Sequence, residues 1–460
     1  MANVTVLGAG GATVTIALSS AENAAAAQVA FASVNTIFAS GIVDQQIWSG
    51  SGTLPAPNNL LGGAIIATAG NVGALSAQYI SVVVDAPGDS TVVGPQNANS
   101  TVFASDNSDL TYGNLSANAE IFFGSGTNAL LNFQGKSNLT ATGGTHVVVT
   151  SGDASTTVNL AGKATVLTAD LAGKSGGNTI NVTAGANATV LAAGASTIPA
   201  TINAISGSLF LVSYDNGSAI INPGAANVTV VGGLSQSTVT GTDHGGRVTL
   251  FGGTGSVTVN DGQGVFTGGS AGNNVMFTST VAGSATLTGG GNGDFLAALG
   301  SGQRIIAGAG NSTLWGRDAT GPNTFIVGNS VQTTVFGGGQ GGNTYIFSGL
   351  GAAEVDGRNE AAPGVASTNT YFNLDVDGNA TMGGTFFIAD FLTGVDKLQI
   401  DFDDSATVTY FAPGAAGSPM GTIGGTQVIV SSGATYNFFE SGALGQDIFV
   451  QDIISEISAG

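Results

Sequence analysis

The sequence predicts an all-β chain folded as a right-handed parallel β-solenoid or β-roll, with a small helix-containing N-terminal region and a β-rich C-terminal cap. A repeat is the first ground for this. Between residues 227 and 347 short apolar triplets recur, each followed by Gly-containing punctuation: Val228-Thr-Val, Val248-Thr-Leu, Val257-Thr-Val, Ala285-Thr-Leu, Arg304-Ile-Ile, Phe325-Ile-Val and Tyr345-Ile-Phe. One inward residue per step gives Val230, Val239, Leu250, Val259, Phe266, Met276, Leu287, Leu296, Ile306, Leu314, Ile326, Val335 and Ile346, a mean step of (346 − 230)/12, about 9.7 residues. Two steps make one coil with a strand on each side. Strands this short cannot bury a face alone, so stacked neighbours must supply the core.

Composition is the second ground. The 460 residues include 75 Gly and no Cys, 42% are hydrophobic, and only 8% are charged. That apolar content offsets the entropy of ordering and excludes a disordered acidic tail. Glycine without strict every-third spacing excludes collagen. The absence of Cys removes disulfides, thiolate nucleophiles and Cys-ligated zinc together. Eight basic residues against 28 acidic ones give a net charge of −20, which repels phosphate backbones, so no nucleic acid is expected as partner and a cation such as calcium is favoured. No run approaches eighteen apolar residues, so no membrane span is expected.

The third ground is the pattern inside the strands. Alternating Thr and Val suit a half-buried pleated strand, and Gly supplies the positive φ of a tight corner. Solvent-facing Asn, Thr and Ser stand where charges are usual. In a parallel stack like charges on successive coils would lie about 4.8 Å apart and repel, whereas Asn and Thr can hydrogen-bond along the stack.

Taken in order, residues 1–88 read as an N-terminal cap or docking region. Val4-Thr-Val-Leu-Gly-Ala-Gly-Gly looks like a strand entering a dinucleotide-binding turn, but Ala12-Thr-Val-Thr-Ile-Ala-Leu alternates like a second strand, which favours a Gly-rich hairpin over the helix that fingerprint needs. Ser19 and Glu22 form a capping box opening a helix of about residues 20–40, with Ala27, Phe31, Val34 and Phe38 on one face and Gly41 to end it. Residues 89–225 repeat the same strand grammar more loosely, in Ser100-Thr-Val-Phe, Ala119-Glu-Ile-Phe-Phe, Thr145-His-Val-Val-Val, Thr156-Thr-Val-Asn-Leu, Asn178-Thr-Ile-Asn-Val and Ala188-Thr-Val-Leu. Residues 226–358 form the regular roll. Residues 359–460 form an acidic cap, since 14 of the 28 acids lie from Glu354 onward.

Within the roll, Gly289-Gly-Gly-Asn-Gly-Asp-Phe-Leu-Ala, Gly308-Ala-Gly-Asn-Ser-Thr-Leu-Trp-Gly and Gly338-Gly-Gln-Gly-Gly-Asn-Thr-Tyr-Ile-Phe resemble RTX repeats, the Gly- and Asp-rich β-rolls of bacterial secreted proteins. Downstream, Ile388-Ala-Asp-Phe-Leu-Thr-Gly-Val-Asp-Lys-Leu is similar to the segment that follows the roll in serralysin-type proteins, matching at Asp390, Phe391, Gly394, Asp396, Lys397 and Leu398. The resemblance implies calcium as cofactor, a C-terminal uncleaved signal read by the type I secretion machinery, and a secreted or cell-surface location. It covers about residues 289–460, and the family's zinc-bearing protease domain is missing. Aligning the frames puts Val257, Asn274, Asp294, Ser312 and Asn343 at the family's calcium-binding Asp, so only Asp294 keeps the carboxylate. Asp375, Asp377 and Asn379 beside a Gly turn form a second calcium candidate. Asp390 and Asp396 complete the candidate metal ligands.

For catalysis the sequence offers one compact group, Asp243, His244 and Arg247 in a Gly-rich turn, which would serve a polysaccharide lyase or epimerase; a polar turn is the plainer account. His146 reads as a strand residue. The expected function is therefore non-enzymatic: an extracellular structural or adhesive solenoid of adhesin, biofilm-matrix or surface-layer type, with sister molecules or cell-surface glycans as partners.

Overall fold

Apolar residues spaced two apart put one side of each short strand into the interior, and the chain satisfies that side by stacking strand upon strand. The computed structural model describes residues 2–7, 13–18, 44–50 and, apart from short breaks, 53–357; beyond them it describes strands between 368 and 457. Among the described residues every regular element is a strand. The helix expected at residues 20–40 lies outside them. The chain divides into two units, Met1–Ser235 with His244–Arg247 and Gln236–Asp243 with Val248–Gly460.

The first unit opens with an antiparallel hairpin, Ala2–Leu7 against Thr13–Leu18, with Ala2 opposite Leu18 and Leu7 opposite Thr13. The Gly-rich stretch thus leads strand into strand, the arrangement that alternation in residues 12–18 favours. Parallel stacking begins at Asp44–Trp48, which pairs with Gly63–Ala67. From there each strand pairs in parallel with the next but one in the chain, so two sheets are built alternately. One contains Asn118–Phe123, Lys136–Ala141, Ser155–Leu160 and Thr179–Val182; the other contains Ser108–Asn114, Thr127–Asn132 and Thr145–Thr150. This is a parallel β-solenoid.

Its inward rank runs Val82, Val102, Ile121, Leu139, Val158, Ile180, Ile202 and Ile221, all at most 3% exposed. The coil length drifts between 139 − 121 = 18 and 202 − 180 = 22 residues. The loose spacing of residues 89–225 therefore falls mostly in the corners: this rank stays in register, and the other sheet shifts between Val149 and Thr150. Gly144 shows why corners need glycine: its φ is +75°, and a Cβ there would stand 2.2 Å from the carbonyl oxygen of Gly126 one coil earlier. One register position away from the inward rank, Ile66, Val83, Phe103 and Phe122 face the opposite side of the sheet yet are also buried, with the Phe103 and Phe122 rings stacked at 4.9 Å. Both faces of the sheet are covered in these coils.

The second unit repeats the plan. Val257–Gly262, Val275–Thr278, Asp294–Ala297, Ser312–Trp315, Thr333–Phe336 and Ala352–Asp356 form one parallel sheet; Gly264–Thr267, Thr286–Thr288, Arg304–Ile306, Thr324–Val327 and Thr344–Phe347 belong to the other. Of the inward positions expected here, Ile306, Ile326 and Ile346 prove to be off by one. The inward rank is Leu287, Ile305, Phe325, Tyr345 and Tyr371, each at most 1% exposed. Rings decide the register: Phe325 stacks on Tyr345 at 5.5 Å and Tyr345 on Tyr371 at 4.8 Å. In runs such as Phe325-Ile-Val both faces are apolar, so alternation does not say which residue turns inward.

Candidate functional site

Three constellations of side chains repeat from coil to coil, and only one of them includes a residue expected to bind metal. At the strand entrances a side-chain oxygen accepts the backbone N–H of the equivalent position one coil earlier. Asn274 Oδ1 takes Val257 N–H at 2.8 Å, and Asp294 Oδ1 takes Asn274 N–H at 3.0 Å. In the other sheet the same device links Gln303 to Asn323, Asn323 to Asn343 and Asn343 to Asn369. It recurs in the first unit, where Asn128 accepts from Leu110 N–H and Asn178 from Thr156 N–H. These side chains are at most 3% exposed, so each bond meets a donor that water cannot reach.

Asp294 belongs to this series. Its Oδ1 also accepts Asn274 Nδ2–H at 2.7 Å and its Oδ2 accepts Gly290 N–H at 2.7 Å. Three N–H donors, their positive ends aimed at the carboxylate, occupy the place a cation would take. Of the other frame positions, Asn274 and Asn343 do the same work with a neutral amide, and Val257 and Ser312 do not. Of the remaining metal candidates, Asp390 lies on the strand Thr385–Phe391, and Asp375, Asp377, Asn379 and Asp396 lie outside the described residues. Among the described residues no group of three His, Asp or Glu converges. Asp243 and His244 also lie outside; Arg247 is exposed, and its carbonyl accepts Val228 N–H at 2.9 Å.

His146 is fully buried in the strand Thr145–Thr150, one coil after Asn128. Its Nε2 meets the Gly143 carbonyl, its Nδ1 lies 3.5 Å from Asn128 Nδ2, and the Phe123 ring packs at 5.5 Å. Loss of solvation pulls its pKa down from 6.5 to about 4, against the opposing pull of the Gly143 bond. The imidazole is a neutral core group remote from solvent.

The second constellation is an amide ladder on the outward face of the first unit. Asn222 Nδ2 donates to Asn203 Oδ1, Asn203 to Asn181, Asn181 to Asn159 and Asn159 to Asn138, at 2.7 to 2.8 Å. Asn138 Nδ2 then donates to Glu120 Oε2 at 2.8 Å. All five amides point the same way, and the ladder ends on a carboxylate, Glu120, that accepts its terminal donor.

The third is aromatic, on the outward face of the second unit. Phe277, Phe295, Trp315 and Phe336 sit on four successive strands of one sheet, each half-buried. Centroids are 5.7, 6.2 and 5.3 Å apart in that order. Arg317 lies over Trp315 at 5.3 Å and over Phe336 at 4.6 Å, and its Nη2 bonds Asp356 Oδ2 at 2.9 Å. Trp315 Nε1–H donates to Asp318 at 2.8 Å.

Sequence reasoning missed the caps and the aromatic row. Asn-Thr at the strand entrance, as in Asn178-Thr, Asn323-Thr, Asn343-Thr and Asn369-Thr, is the signal that marks the caps. The aromatic row is readable only after register is known.

Compared with protein-family models, curated proteins and solved structures, the chain matches none. The fold itself defines the class, a parallel β-solenoid protein whose coils are joined by side-chain hydrogen bonds as well as by backbone ladders.

Proposed function

We propose that this chain is a non-enzymatic, extracellular solenoid of structural or adhesive type, exported by type I secretion and working at a cell surface or in a matrix. One observation carries the reading: outward side chains repeat with the coil, as Asn159, Asn181, Asn203 and Asn222 do in register. A surface that presents one group per coil is complementary to a partner that is itself periodic, such as a sister molecule or a polysaccharide. Uncharged ranks allow such faces to meet without the desolvation cost of stacked charges. Export by a C-terminal signal rests on the resemblance at Asp390 to Leu398 and on the acidic tail.

Electron microscopy of the purified chain tests the structural reading. Filaments, sheets or decorated cell envelopes are expected; a dispersed protein that turns over uronate polymers, with turnover lost in His244→Ala, would replace it by the carbohydrate-active alternative.

A further inference from the structure

We propose that the aromatic row Phe277, Phe295, Trp315 and Phe336 is a binding strip for a neutral polysaccharide chain, laid along the stacking direction. The proposal rests on the adhesive reading above and supplies its ligand class and its site. Four half-exposed rings on consecutive coils touch in sequence: Phe277, Trp315 and Phe336 share one register row with Ala297, and Phe295 stands two residues along its strand, so the strip zigzags with one ring per coil. A ring face is electron-rich, so it attracts the polarised C–H bonds on the flat side of a pyranose as it attracts cations. Beside the rings stand acceptors: Asp318 and Glu354 are exposed carboxylates, and Thr313 and Thr334 are half-exposed on the same face, in the register row of Phe295 and Glu354.

Charge decides the occupant. A cationic partner would meet the like charge of Arg317, which lies over Trp315 and Phe336 and bonds Asp356, whereas an uncharged sugar offers that guanidinium hydroxyl oxygens as acceptors. An anionic polymer would meet Asp318 and Glu354. What remains complementary to electron-rich faces rimmed by acceptors is an uncharged chain rich in C–H and O–H donors. Its repeat of one flat ring after another matches a platform of one ring per coil.

The chain has two tryptophans, and this gives the test its readout. Trp48 is 7% exposed with its Nε1–H bonded to the Asn71 carbonyl, so Trp315 alone reports on the strip. Full-length protein carrying Trp48→Phe is titrated with cellohexaose, chitohexaose and laminarihexaose, and wild type is co-sedimented with insoluble cellulose and chitin. A blue shift with saturation on at least one glycan is expected, together with sedimentation that weakens at least tenfold in Trp315→Ala and in Phe277→Ala and less in Trp315→Phe. Circular dichroism unchanged from wild type qualifies each variant, and Phe277→Ala at the end of the row serves if Trp315→Ala does not fold. No shift and no sedimentation, retention by poly-lysine in place of glycans, or full binding by both alanine variants overturns the strip. Filaments seen by microscopy alongside that failure would leave the structural reading standing, so the two can fail separately.

Discussion

His146 is a base placed where it cannot be charged, and that makes the first unit sensitive to acid. With a folded pKa near 4 and an unfolded pKa near 6.5, the unfolded chain binds the proton first as pH falls. The stabilisation is full above about pH 6.5, declines through the window between the two values, and is lost below about pH 4, for a total of about 3 kcal/mol. Urea midpoints measured from pH 7.5 to 4 should fall accordingly, and His146→Asn should flatten the slope. Asn fits because Asn128 occupies the same register position one coil earlier. At Asp294 the expectation concerns metal. Both oxygens already accept N–H donors, so any effect of a chelator on the melting midpoint of the second unit should be the same in Asp294→Asn as in wild type. Asp294→Asn should be tolerated, whereas Asp294→Ala strands buried donors and costs about 1 to 3 kcal/mol. A calcium-dependent midpoint that disappears in Asp294→Asn would restore the ion. The sequence frame found this position through its resemblance to a calcium repeat; two of the side chain's three bonds were invisible there because both come from Asn274, one coil and twenty residues earlier.

At the level of the strand, the amide ladder explains how stacked polar rows stabilise rather than repel. Asn138, Asn159, Asn181 and Asn203 each both donate and accept, so these interior members lose two bonds when removed. Asn181→Ala should cost about 1 to 2 kcal/mol in denaturant titrations, and Asn222→Ala, at the end of the ladder, about half as much. Equal losses at both positions would show that the amides act singly. Glu120→Gln keeps an acceptor for Asn138 and should cost less than Glu120→Ala. The polar character of these rows was legible from charge repulsion between stacked coils alone. Their partners were not, because Asn159 reaches diagonally to Asn138 while its opposite number in register is Thr140. Ile306 and Ile346 fail for the complementary reason: where both faces of a strand are apolar, period two leaves two equivalent registers, and the Phe325, Tyr345 and Tyr371 stack chooses between them.

Across the whole molecule the solenoid was readable because a period near ten with glycine corners has few other solutions, and because stacking makes every coil obey the same rule. What period and composition do not carry is how far cooperativity extends. In a repeat architecture stability is close to a sum of nearest-neighbour terms, so a local defect need not be felt everywhere. The two tryptophans fall one in each unit, Trp48 in the first and Trp315 in the second. Trp315→Phe therefore leaves a probe of the first unit and Trp48→Phe a probe of the second. Ile65 is fully buried on the strand paired with that of Trp48, and Ile65→Ala should cost about 2 to 5 kcal/mol there. Added to each single-tryptophan protein, it should lower the guanidinium midpoint seen by Trp48 and leave that seen by Trp315 in place. Equal displacement of both curves would mean that the units unfold as one, and the nearest-neighbour account would then be wrong for this chain.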